Sequence, residues 1–156
     1  MQVRAEILSV DFPDTAAARI VIEAAPSKIF NILADPKSHA LFDGSSTINK
    51  AISGPDRLSL GARFGMSMKI KVPYRITNEV VAFEENQKIT WRHLMKWTWS
   101  YELVDLGNGS TQVTEIFDAS VCNKAQRWWV HKNDSLNRNP KWMAKSLVKL
   151  KTLCEG

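Results

Sequence analysis

The sequence predicts an α+β domain, in which a run of strands and a long helix occupy separate stretches of chain. Three observations predict it. Even positions from Ala62 to Ile76 are apolar or aromatic while the odd ones between them are mostly polar, and odd positions from Ile89 to Leu103 are apolar, aromatic or His. After Ser120 the spacing changes to that of a helix. A period of two marks strands with one face toward a core and one toward water, and a period near 3.6 marks an amphipathic helix.

From the N-terminus, RIVIEA at 19–24 is a short β-rich run. It meets Pro26, which suits a first helical turn, and Ile29, Phe30, Ile32 and Leu33 then form a helical stripe. Asp35-Pro36 ends that stripe, because a residue before proline is biased out of the helical region. A second short helix is predicted over 37–42, and Asp43-Gly44 opens a loop into the sheet. The alternation that follows, with Ile70 and Val72 on its apolar face, reads as a hairpin; a strand continues to Glu84, and Glu85-Asn86-Gln87 turns the chain.

The stretch from Ile89 to Leu103 is too long for one ordinary strand. A two-residue loop would reverse its inward parity and a three-residue loop keeps it, which predicts a loop near Met95-Lys96-Trp97, with Trp97 at the rim. Leu106-Gly107-Asn108-Gly109 is a turn, and the next strand sets Val113, Glu115 and Phe117 on one face. Asn139-Pro140 predicts the start of the last helix, on which Met143, Leu147, Leu150 and Cys154 share a face.

With 156 residues, 44% of them hydrophobic, the whole chain, 1–156, reads as a single domain. The stretch MQVRAEILSVDFPD lacks the apolar core of a secretory signal, and nothing approaches the about 18 apolar residues of a membrane span. The expectation is a cytoplasmic protein with no transmembrane segment. Cys122 and Cys154 stand alone, without ligand spacing, and read as reduced thiols. Net charge is +5, and residues 119–156 alone carry eight Lys/Arg against two Asp/Glu. That basic segment predicts an acidic protein or an anionic surface as a partner. Nucleic acid is disfavoured, since no RNP, KH or helix-turn-helix signature is present.

The stretch VIEAAPSKIFNILADPKSHALF, then Leu60-Gly61-Ala62-Arg63-Phe64, Ile89-Thr90-Trp91, and GSTQVTE at 109–115 followed by the terminal helix together resemble the START-like superfamily, also known through Bet v 1-like and polyketide cyclase/dehydrase-like (SRPBCC) proteins. The resemblance covers residues 17–155. It implies the helix-grip fold: a curved antiparallel sheet wrapped around a long C-terminal helix, with a ligand cavity between them.

That cavity gives the aromatic wall a purpose beyond packing the core. Trp91, Trp99 and Phe117 become candidate ligand-binding residues, with Phe64, Met66, Met68 and Tyr74 from the first hairpin and Met143 and Leu147 from the helix. His93, Tyr101 and Glu115 are the candidate catalytic groups, since an imidazole titrates near neutrality and an inward carboxylate is costly unless paired or used. Each has a structural alternative: a bonded core histidine, a solvated glutamate. Arg92, on the outward register, reads as a solvated charge. Trp128-Trp129 with Arg127, His131 and Lys132 reads as a lid over the cavity, as an aromatic and basic surface, or as ordinary packing. No G-x-S-x-G, P-loop, G-x-G-x-x-G or H-E-x-x-H motif occurs, and His39, His93 and His131 are too scattered to argue a metal, so neither cofactor nor metal is expected.

Two functions follow. One is a binder or carrier of a hydrophobic, aromatic or polycyclic small molecule, lipids included; the other is a cyclase/dehydratase-like enzyme moving protons in the same cavity.

Overall fold

The computed structural model describes residues 3–69 and 71–156; Met1, Gln2 and Ile70, the last an expected member of the first hairpin's apolar face, lie outside the described residues. The strands are β1 (Glu6–Leu8), β2 (Thr15–Ile22), β3 (Ile48–Ser53), β4 (Arg63–Lys69), β5 (Pro73–Glu84), β6 (Lys88–His93), β7 (Thr98–Asp105) and β8 (Thr111–Asp118). They form one open antiparallel sheet in the order β1-β2-β8-β7-β6-β5-β4-β3. The helices are α1 (Pro26–Leu33), α2 (His39–Phe42), α3 (Lys124–Lys132) and α4 (Ser135–Glu155), with a 3-10 turn at Pro36–Ser38. The chain thus leaves β2, crosses through α1 and α2 to the far edge at β3, and meanders back until β8 pairs with β2. Helix α4 then packs along β2, with α2 and α3 beside it. This is the predicted α+β class; β1 and β3 are additions to the sequence reading.

Hairpin geometry decides which side chains face inward. Between β6 and β7 the His93 N–H donates to the Trp97 carbonyl at 2.9 Å and the Lys96 N–H to the His93 carbonyl at 2.8 Å. The loop is therefore Leu94-Met95-Lys96, one residue earlier than expected, with Lys96 in the left-handed conformation at φ 73°. Its three residues preserve the odd register, so Trp91 lies opposite Trp99 and Ile89 opposite Tyr101. The first hairpin pairs Lys69 with Pro73, which puts Val72 on the turn and in solvent rather than on the apolar face. A bulge between Val80 and Ala82 adds one residue to β5 against β6 and bends the sheet there.

The start of α4 corrects the sequence reading. The helix begins at Ser135, and Pro140 lies inside it. Asp134, at φ 55°, turns the chain, and its carbonyl accepts from Asn137 N–H at 3.2 Å and Arg138 N–H at 2.9 Å, so the first turn is closed before the proline is reached. Pro140 then only withholds one i to i−4 bond, from the Leu136 carbonyl. Met143, Leu147, Leu150 and Cys154 form the buried face as the spacing predicts.

Helix α4 and the loop after α2 meet closely at Gly44. A Cβ there would stand 2.1 Å from the Trp142 carbonyl oxygen and 2.6 Å from the Ser146 nitrogen. The Gly44 N–H instead donates to Ser146 Oγ at 2.7 Å. The loop is closed on itself by Asp43, whose carboxylate accepts from the amides of Ser45, Thr47 and Ile48 at 2.8–3.1 Å.

Candidate functional site

Between α4 and the inner face of the sheet lies a cavity of about 580 Å³. That volume is within the range of small-molecule sites. Strand register builds its main wall: Trp91 and His93 come from β6, Trp99 and Tyr101 from β7, Glu115 and Phe117 from β8. Met66 and Met68 of β4 and Tyr74 of β5 continue the wall, and Met143 closes it from α4. Neighbouring rings of this wall are tilted against one another, with centroids 5.7 Å apart for Trp91 and Tyr101 and 4.8 Å for Trp99 and Phe117. Two expected lining residues are elsewhere. Phe64 and Leu147 are 1% and 0% exposed and lie behind the wall, Phe64 edge-on to Trp91 at 5.9 Å. Their inward register is real, but the rings and methionines in front of them fill the last layer.

Glu115 is 4% exposed, directly across from Tyr101 in the strand pairing. Its Oε2 is buried without a hydrogen-bond partner. Burial pushes its carboxyl up from 4.5 to about 8, the Tyr101 hydroxyl tempers the rise, and the Asp43 charge adds to it. At neutral pH it is chiefly a neutral acid, able to donate a proton or a hydrogen bond. Tyr101 is pushed well above 10, first by burial and then by Glu115.

His93 is half-buried and lies flat on Trp97, ring centroids 4.6 Å apart and planes 13° apart. Its Nδ1 accepts from the Met95 N–H at 3.0 Å, which fixes the neutral ring with its proton on Nε2. Burial lowers its pKa to about 4. Among the described residues no hydrogen bond joins it to Glu115, so the two share a cavity rather than a contact.

Sequence reading missed a second imidazole. His39 of α2 lines the cavity at 3% exposure, stacked on Trp91 at 4.8 Å. Its Nε2–H donates to the Leu33 carbonyl at 2.9 Å, leaving Nδ1 as an acceptor, and burial lowers its pKa to about 4. A four-residue helix carries no periodicity, so nothing signalled it. Asn78 had a signal: it continues the even register two residues past Ile76. Arg138, Asn139 and Trp142 also line the cavity, and placing the helix start at 139–140 hid them.

Trp128 and Trp129 are both exposed, at 58% and 49%; Trp129 and the buried Val130 nevertheless reach the cavity wall. Lys132 sits over the Trp128 ring at 4.7 Å. Arg92 is exposed and paired with Glu79 at 3.5 Å. Among the described residues no group of three or more His, Cys, Asp or Glu is placed to hold a metal, and no helix is long and apolar enough to cross a membrane.

Solved structures with this arrangement include Ms6760 from Mycobacterium smegmatis, with a TM-score of 0.70, 15% identity and 97% of each chain covered. The Polyketide_cyc-like protein Cgl2372 from Corynebacterium glutamicum matches with a TM-score of 0.62 and 18% identity over 94% of each chain. These likenesses show the fold that the resemblance implied, the helix-grip fold. The helix gripped here is α4, and the cavity is the space the curved sheet leaves against it. No family model matches the chain. The protein Rv0088 of Mycobacterium tuberculosis is 36% identical over 123 residues, 76% of this chain and 55% of that protein. The chain therefore spans about half the length of the curated relatives it matches.

Proposed function

We propose that this chain binds a hydrophobic, aromatic or polycyclic small molecule in the cavity between the sheet and α4. The observation that carries the reading is the cavity itself: about 580 Å³ of space bounded chiefly by indole, phenyl and thioether groups, with a few polar groups converging on it. Planar rings stack on tryptophan, and methionines adapt to irregular shapes. Free Cys122 and Cys154 fit a reducing compartment such as the cytoplasm. The basic end, with Trp128 and Trp129 exposed, fits an anionic surface or an acidic protein as a second partner.

Titration with 1-aminoanthracene tests the binding reading. Saturable quenching of tryptophan emission, lost in Trp91→Ala and Trp99→Ala variants that keep their fold, is expected. Absence of binding at every concentration would overturn it, and native mass spectrometry of freshly purified protein would show any molecule that co-purifies.

A second reading, a cyclase/dehydratase-like enzyme, is favoured by one observation: Glu115 is buried beside Tyr101, with an unpartnered oxygen and a carboxyl held protonated near neutrality. Such a group is a competent general acid. His93 or His39, as a neutral ring, would accept the proton, although a pKa of about 4 makes either a weak base.

A further inference from the structure

Among the described residues Arg138 is the cavity's one guanidinium, and its partners do not account for it. Arg19, Arg57, Arg63, Arg92 and Arg127 each pair with a carboxylate. Arg138 has no such partner among the described residues. Its Nη2 makes one long contact, 3.4 Å, to Ser135 Oγ, and its Nε is shut off from water with no acceptor. The plane is held over the Trp142 ring, with Cζ 4.5 Å from the centroid, so the group is oriented but not neutralised.

The acids that share the cavity cannot serve it. Asp43 has both carboxylate oxygens occupied, one by Ser45 and the other by Ser45, Thr47 and Ile48. Glu115 is chiefly uncharged at neutral pH because of its burial. A fixed guanidinium with an unused donor therefore stands in a wall where, among the described residues, the other charge is the Asp43 carboxylate, already engaged by its own loop.

We propose that the ligand is an amphipathic acid: an aromatic or polycyclic body held among the indoles, and a single carboxylate seated against Arg138. This rests on the cavity being a binding site, as proposed above. The planar guanidinium matches a carboxylate's two oxygens, and one cation balances one negative charge. Asn133, Ser135 and Asn139 lie within a turn or two of Arg138 on the same wall and offer neutral hydrogen bonds to the same head group. A phosphate dianion fits less well, because the wall supplies one cation rather than several.

The test uses the full chain and two probes of the same shape, 1-pyrenebutyric acid and 1-pyrenebutyramide, followed by tryptophan quenching at pH 7.5. The acid should bind about tenfold or more tighter than the amide, as a charge-assisted hydrogen bond to a partly buried guanidinium requires. Arg138→Gln should abolish that preference by weakening the acid more than the amide, with saturable amide binding still reporting an intact cavity; Arg138→Lys should restore part of the preference. Equal binding of acid and amide to the wild type, or an acid preference that survives Arg138→Gln, would overturn the assignment while leaving the cavity reading standing. Failure of both probes to bind would overturn both.

Discussion

Tyr101 and Glu115 stand directly opposite each other on β7 and β8, both buried, with Glu115 Oε2 unpartnered. A carboxyl in that position makes folding depend on pH. The native state holds the Glu115 proton up to about pH 8, whereas the unfolded chain releases it near 4.5, so this group's contribution is complete below 4.5 and is lost as pH rises toward 8. His39 and His93 act with the opposite sign: lowered from 6.5 to about 4, they bind fewer protons when folded, and stability rises with pH across that window. Two gains outweigh one loss below pH 6.5, and only the loss remains above it. Thermal melts should therefore peak near pH 6.5 and decline to pH 8, by at most about 1.4 kcal/mol per pH unit. Glu115→Gln should flatten the alkaline decline; a decline unchanged in that variant would show that another group causes it.

How much of this was legible in the sequence follows from where periodicity is strong. Residues 89–103 announced the inward face through parity alone, and a loop of three residues preserved that parity even though it fell at Leu94 rather than Met95. Parity says which side a residue faces and not how deep it lies, which is why Phe64 and Leu147 are inward yet behind the cavity wall. Val72 kept the alternation only because the hairpin turn happened to end there, just before β5. The terminal helix shows a different failure. Asn139-Pro140 has the composition of a helix start, but Asp134 closes the first turn five residues earlier, and with the correct start Ser135, Arg138, Asn139, Trp142, Met143 and Ser146 fall on one cavity-facing strip. His39 is placed by its bond to the Leu33 carbonyl, and the Asp43–Thr47 loop by the Asp43 carboxylate's bonds to its own amides and by the Gly44 contact with α4, none of which leaves a periodic trace.

The Gly44 contact predicts coupling between that loop and the cavity. Gly44→Ala forces a Cβ against the α4 backbone, where neither side can yield without opening the contact, and should cost about 3 kcal/mol. Ser146→Ala removes only the hydroxyl that accepts from the Gly44 N–H and should cost about 1–2 kcal/mol. Because Asp43, Ser45 and Thr47 line the cavity, both variants should also weaken 1-aminoanthracene binding. Chemical denaturation of each variant, with the dye titration alongside, separates the effects; a Gly44→Ala protein as stable as wild type would contradict the close approach.

The basic end predicts a salt-sensitive association. Trp128, Trp129, Val121 and Leu94 are exposed, and residues 119–156 carry a large excess of Lys and Arg. Binding to vesicles containing phosphatidylglycerol, measured by co-sedimentation, should fall steeply between about 50 and 500 mM salt, since the screening length shrinks below 10 Å in that range. Replacing Trp128 and Trp129 by Ala should weaken what remains at high salt. Equal binding to neutral vesicles, unaffected by salt, would remove the electrostatic argument.

The last prediction separates carrier from enzyme at His93. Its ring is held by Trp97 and by the Met95 N–H, which leaves Nε2–H as a donor, and Gln keeps a donor of similar reach without a titrating group. If protons move through this imidazole, His93→Gln should lower turnover of the co-purifying molecule by about 10²-fold to 10⁴-fold with affinity much less changed. If the cavity only carries its ligand, the same change should shift affinity by a few-fold and leave the molecule chemically unaltered with either protein. The low pKa of the ring argues for the second outcome, since a base that weak accepts a proton poorly at pH 7. Mass spectrometry of the ligand after incubation with wild type and His93→Gln decides it: conversion by wild type alone would establish the enzyme and displace the carrier.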